Sequence, residues 1–145
     1  MTLVVDAGPL IALLDRQDPL RLTVSRVLTS ESGTLVLPAV VAGEVDYMVG
    51  KLFGRDGRRT FFADLADGRF RVACLEQSDY QLVRRYDELY ADLDVGLADL
   101  SVAILAHRFS TRRILTFDQR HFRTLRPLDG GSFLLLPYDE AVPRV

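Results

Sequence analysis

Short β-branched and leucine-rich runs alternate with longer stretches of helical pattern along the whole chain, and that alternation most narrows what it can fold into. The runs are TLVV, TLVLP, RFRVACLE, RILTF and SFLLLP. Each is strand-sized and closed by a helix-starting or turn residue, which predicts about five buried strands. Between them lie GPLIALLDR, LRLTVSRVLTS, a helix opened by Pro38 and running to about Lys51, RRTFFADLAD, a helix over Asp79 to Leu93, LADLSVAILAHRF and QRHFRTL. Strands separated by helices imply an α/β fold with a mostly parallel sheet covered on both faces and joined by right-handed crossovers.

Local signals set the expected boundaries. Gly8 and Pro9 read as the N-cap and first helical position, which leaves Asp6 outside the cap. Val41, Val45, Met48 and Leu52 recur at helical spacing and are expected to face the core. Gly54 to Gly57 reads as a break, Asp94 to Gly96 as a turn. Ser78 with Gln81 three residues on reads as a capping box.

The 145 residues suit one domain over 1–145. With 48% hydrophobic and 26% charged residues the composition is that of a folded soluble chain. No apolar run approaches the roughly 20 residues of a membrane span, and MTLVVDAG lacks a basic n-region, so the expected location is cytoplasmic. Cys74, the single cysteine, lies in the apolar run FRVACL and is expected to pack as a small hydrophobe. The net charge of −2 provides no global attraction to nucleic acid, so any RNA contact must be local. Two arginine groups are candidates for it: Arg55, Arg58 and Arg59, and Arg112, Arg113, Arg120, Arg123 and Arg126. Either also fits a solvated helix face.

Four acids stand where strands give way to helices or where a helix begins: Asp6 in LVVDAGPL, Glu44 in LVLPAVVAGEV, Asp99 in GLADLSVAILA and Asp118 in RILTFDQRHF. In open parallel sheets, ligands bind beyond the carboxyl ends of the strands, near the point where strand order reverses. Asp6 and Asp118 occupy such ends directly. Carboxylates gathered there are held at low cost only around a cation, and hard oxygen ligands select magnesium or manganese. Bland roles compete at each position: a cap for Asp6 and Asp118, a solvated helix position for Glu44, and a dipole-stabilising first-turn acid for Asp99. Gly43, beside Glu44, permits a close backbone approach. Asp94 is an alternative to Asp99. His121 is within reach of Asp118 from the next turn, though it equally fits a surface or packing residue.

These four segments, in this order and covering nearly the whole chain, resemble the PIN domain, and within it the toxins of VapC type from bacterial toxin–antitoxin pairs. The resemblance implies a three-layer α/β/α sandwich. It implies that Asp6, Glu44, Asp99 and Asp118 are the catalytic, metal-holding acids, with Ser101 and Thr116 as supporting groups. It also implies Mg2+- or Mn2+-dependent cleavage of RNA, inhibition by a small antitoxin, and a homodimer to which Pro38–Lys51 and Asp79–Leu93 are candidate contributors, with Tyr80, Tyr86 and Tyr90 either helping there or, as helix-spaced aromatics, belonging to the core. His121 stands where that family commonly has an acid. The alternative is a PIN module that binds RNA or a protein without cutting. Phosphatase and receiver-like folds fit poorly, because Gly8 stands where the former wants a second Asp and the only lysine is Lys51.

Overall fold

The computed structural model describes residues 1–142. Five strands form one sheet in the order β3-β2-β1-β4-β5: β1 (Thr2–Val5), β2 (Thr34–Pro38), β3 (Arg71–Ala73), β4 (Arg113–Leu115) and β5 (Leu134–Leu136). All four pairings are parallel. The helices are α1 (Ala7–Leu14), α2 (Arg21–Ser30), α3 (Ala39–Ala66), α4 (Asp79–Leu89), α5 (Leu97–Arg108) and α6 (Gln119–Thr124), with a 3₁₀ turn at Ala91–Leu93. Chain order β1-β2-β3 runs outward on one side and β4-β5 on the other, so right-handed crossovers set α1, α2 and α3 against one face and α4, α5 and α6 against the other. The order reverses between β1 and β4.

The core follows from the strand composition. Leu3, Val4, Val5, Val36, Leu37, Ile114, Leu115 and Leu135 are all but inaccessible. Helix α5 is buried along its whole middle, from Leu100 to Ala106. It packs on β1 and β2 and also meets α3, so its first turn is held firmly.

Several expectations are corrected. The break expected across Gly54 to Gly57 is a kink at Gly54 alone (φ 68°), where two helices meet within α3, so the first runs slightly beyond Lys51 and the second begins before Arg58. Glycine alone adopts that angle without strain. Arg58 bridges the kink by pairing with Asp46 at 3.1 Å and lying across Gly50, where a Cβ would collide with it. The buried stripe of α3 is Val41, Val45 and Val49, while Leu52 is exposed. The third strand covers three residues rather than all of RFRVACLE, and as an edge strand it leaves Val72 and Cys74 exposed. Ser78 makes no capping bond; Asp79 instead accepts the Glu76 N–H at 2.7 Å and pairs with Arg108. Of the helical tyrosines, Tyr86 belongs to the core and its hydroxyl donates to the Arg126 carbonyl, so it offers no free surface; Tyr80 is exposed.

Candidate active site

Asp6 follows the last residue of β1, and its backbone N–H still bonds the Leu115 carbonyl of β4 at 2.9 Å. Asp6, not Gly8, is the N-cap of α1: Oδ1 accepts the Ala7 N–H at 2.8 Å. Its other oxygen, Oδ2, accepts the Thr116 hydroxyl at 2.7 Å. The Thr116 oxygen in turn accepts the Asp118 N–H at 3.0 Å, so one wholly buried hydroxyl couples the ends of the two strands at the switch point.

Asp118 divides its two oxygens. Oδ1 caps α6 by accepting the His121 N–H at 3.0 Å, and Oδ2 lies 2.8 Å from His121 Nδ1. That same ring nitrogen stands 2.9 Å from Asp99 Oδ2. Asp99 is in the first turn of α5, whose N-terminal dipole favours a carboxylate. Asp99, Asp118 and His121 thus present one oxygen or nitrogen atom each within 4.8 Å of one another.

The electrostatics confirm crowding. Burial, then the charge of Asp6, push Asp99 up to about 6, against the opposing pull of the His121 hydrogen bond. Burial raises Asp6 above the ordinary carboxylate range even though the Thr116 and Ala7 bonds pull it down. Glu44, at the exposed rim on α3, is raised by what burial it has and by the charge of Asp6. Three acids of one sign whose protonated forms are favoured are a site built for an opposing charge. The donor set is carboxylate oxygen with one imidazole, which suits a divalent cation with a preference for oxygen.

The structure therefore brings Asp99 and Asp118 together with His121, sets Asp6 near enough for its charge to act on Asp99, and leaves Glu44 at the rim, where it makes no hydrogen bond among the described residues. Thr116 stands behind the acids as expected. Ser101 does not join them: buried in α5, its hydroxyl donates to the Leu97 carbonyl. Asp94 is exposed in a left-handed turn after the 3₁₀ segment. Gly43 approaches nothing closely, since a Cβ there would meet only open space. His121 is drawn in more fully than the sequence suggests; the one signal was its place three residues after Asp118 at a helix start. Among the arginines around Asp118, Arg112 pairs with Asp129, Arg113 with Glu31 and Glu140, Arg123 with Asp139, and Arg126 bonds Gly131 and Ser132. Arg120 has no ion-pair partner among the described residues.

Comparison with known proteins agrees with this geometry. The PIN domain family model matches residues 3–126. Ribonuclease VapC26 of Mycobacterium tuberculosis (strain ATCC 25618 / H37Rv) is 34% identical over 135 residues, covering 93% of this chain and 100% of that protein. Three solved structures share the fold. The Mycobacterium tuberculosis VapC20, a Sarcin-Ricin loop cleaving toxin, has a TM-score of 0.73 at 16% identity over 80% of this chain and 89% of its own. FitAcB from Neisseria gonorrhoeae gives 0.64 at 19% identity, over 90% and 96%. VapBC2 from Rickettsia felis, bound to a DNA fragment from their promoter, gives 0.61 at 16% identity, over 93% and 97%. A family model spanning most of the sequence, joined to a relative alike from end to end, means that the chain belongs to the PIN domain family, among its VapC-type members.

Proposed function

We propose that the protein is a toxin endoribonuclease that hydrolyses RNA phosphodiesters with a divalent cation, Mg2+ or Mn2+, held by Asp6, Asp99 and Asp118, with Glu44 at the rim. The observation that carries the reading is the convergence of acids from β1, α5 and the β4–α6 junction on the switch point of the sheet, where burial, and then the charge of neighbouring acids, raises the proton affinity of Asp6 and Asp99. The chemistry such an ion supplies when bound is a water made nucleophilic near neutral pH and relief of charge on the phosphoryl oxygens.

The chain's own residues position the acids. Asp6 is fixed by two hydrogen bonds and cannot swing into solvent. Asp118 is oriented by its capping duty, which turns Oδ2 toward Asp99. Asp99 is held on a helix with no room to shift. Arg120, next to this centre in sequence and unpaired among the described residues, is the guanidinium available to an RNA phosphate. Histidine as nucleophile or sole base is disfavoured, because the described chain has only His107 and His121 and neither faces a serine in a triad.

The protein's relationship to VapC26 supports RNA as substrate. The likeness to the VapBC2 and FitAcB structures supports a small protein partner acting as antitoxin. A homodimer and a cytoplasmic location complete the reading; among the described residues no helix is long and apolar enough to cross a membrane. Incubation of purified protein with total cellular RNA, with Mg2+ or Mn2+ and then with EDTA, tests the activity. Discrete cleavage that stops with EDTA and with Asp99→Asn is the expected result. RNA retention without cleavage under every metal condition favours the binding module instead.

A further inference from the structure

From the placement of its ring we infer that His121 is itself a metal ligand through Nδ1, and that this nitrogen makes the site favour Mn2+ over Mg2+. The inference rests on the metal-site reading above and deepens it by naming the ion.

The argument is geometric. His121 Nδ1 stands 2.9 Å from Asp99 Oδ2 and 2.8 Å from Asp118 Oδ2. In an octahedral shell with bonds of about 2.1 Å, neighbouring donor atoms are about 3 Å apart. The nitrogen therefore already stands at the separation of an adjacent ligand from each of two carboxylate oxygens, and the three residues each offer a ligand atom within 4.8 Å of the others. The ring turns one nitrogen toward two carboxylates that come from different elements, so the same atom that hydrogen-bonds them without metal is placed to share an ion with both. Local bonds hold that orientation: the His121 N–H is tied to Asp118 Oδ1, and its helix is anchored by the Arg123–Asp139 fork at 2.7 Å for both bonds. Phe122, wholly buried beside it, fixes the rotation of α6.

Chemistry then sets the preference. Imidazole suits first-row transition ions, whereas Mg2+ strongly prefers oxygen and water. An all-carboxylate shell accepts either. Replacing one oxygen by nitrogen costs Mg2+ more than Mn2+, so His121 shifts the balance without excluding catalysis by Mg2+.

The test uses the full chain loaded with Mn2+ and reads electron spin echo envelope modulation. A directly bound imidazole gives a 14N modulation that changes on labelling histidine with 15N. His107, the only other histidine, lies eight residues from Asp99 on the same helix, about 12 Å along its axis, and cannot give the signal. Calorimetry of Mn2+ and Mg2+ binding to wild type and His121→Asp gives the second readout: the wild-type preference for Mn2+ should fall about tenfold in the variant, through tighter Mg2+ and weaker Mn2+ binding. Bound Mn2+ without nitrogen coupling, or an unchanged preference in His121→Asp, overturns the inference and leaves the nuclease reading standing. Absence of any metal binding by wild type overturns both. If the variant does not fold, the spectrum of the labelled wild type decides alone.

Discussion

Thr116 and Asp6 are 110 residues apart in the chain and share a buried hydrogen bond of 2.7 Å. No other side-chain contact ties the strand ends on either side of the switch point so directly, and everything around the acids is built on it.

Replacing that hydroxyl by a methyl is the sharpest test of its role. Thr116→Val keeps the shape but leaves Asp6 Oδ2 and the Asp118 N–H each without the Thr116 hydroxyl as partner. The expected loss of stability is about 1–3 kcal/mol by urea unfolding, while Thr116→Ser, which keeps the bond, should lose less than half as much. Cleavage should fall in the valine variant and recover in the serine one. Equal behaviour of the two variants would assign the residue to packing alone.

The raised acids predict an inverted pH dependence of stability without metal. A carboxylate whose folded pKa lies above its unfolded value binds more protons when folded, so stability declines as pH rises through that interval. For Asp99 the interval runs from its ordinary value of 3.8 to about 6, and Asp6 and Glu44 act in the same direction. Melting temperature measured in EDTA should therefore drop between about pH 4 and pH 6 through this group. Asp99→Asn should flatten that slope and melt higher than wild type at pH 7, by on the order of 1–3 kcal/mol, while abolishing cleavage. An Asn variant that cuts RNA at the wild-type rate removes Asp99 from the chemistry.

Metal should stabilise the folded chain. At a free ion concentration of about 100 times Kd the gain is about 2.7 kcal/mol, which raises the melting temperature of a domain this size by ~8 °C. The shift should vanish with EDTA and shrink below pH 6, where Asp99 is protonated. Differential scanning calorimetry with millimolar Mn2+ or Mg2+ reads it; no shift under either ion would remove the cation from the account.

Away from the acids, Arg113 forks onto Glu140 and reaches Glu31 at 2.6 Å, pinning the start of β4 to the loop before β2 and to the tail after β5. Glu31 is almost wholly buried, and losing its partner should cost about 3 kcal/mol. Arg113→Met should lower the unfolding free energy measured by urea titration by that amount. Since the network lies at the amino ends of the strands, cleavage below the melting range should stay near wild type.

What the sequence reveals of this molecule depends on how local the cause is. TLVV, TLVLP and RILTF are apolar because both faces of the sheet are covered, so their composition reports their burial directly. RFRVACLE carries the same signature at an edge, where Arg71 stacks on Phe109 at 4.9 Å and Val72 is left in the open; its pattern says strand but not which strand. The capping box at Ser78 fails because Asp79, charged and paired with Arg108, competes successfully for the same helix start. The interruption at Gly54 is legible because a glycine there can take the positive φ that kinks the helix, whereas nothing in the letters shows Arg58 reaching back across it to Asp46. The acids were legible because each sits beside a strand end or helix start that is itself legible. His121 was legible only in part: its place three residues after Asp118 put it within reach of that acid, but its contact with Asp99, 22 positions earlier, comes from tertiary packing alone.

The walled-in middle of α5 has one more consequence. Asp99 stands immediately before that enclosed segment, which anchors the helix, so it cannot retreat from Asp6 by tilting its helix or sliding its register. A looser support would let the two acids drift apart and settle; this one keeps them in a standoff, and the scaffold rather than the ion therefore decides where the centre forms.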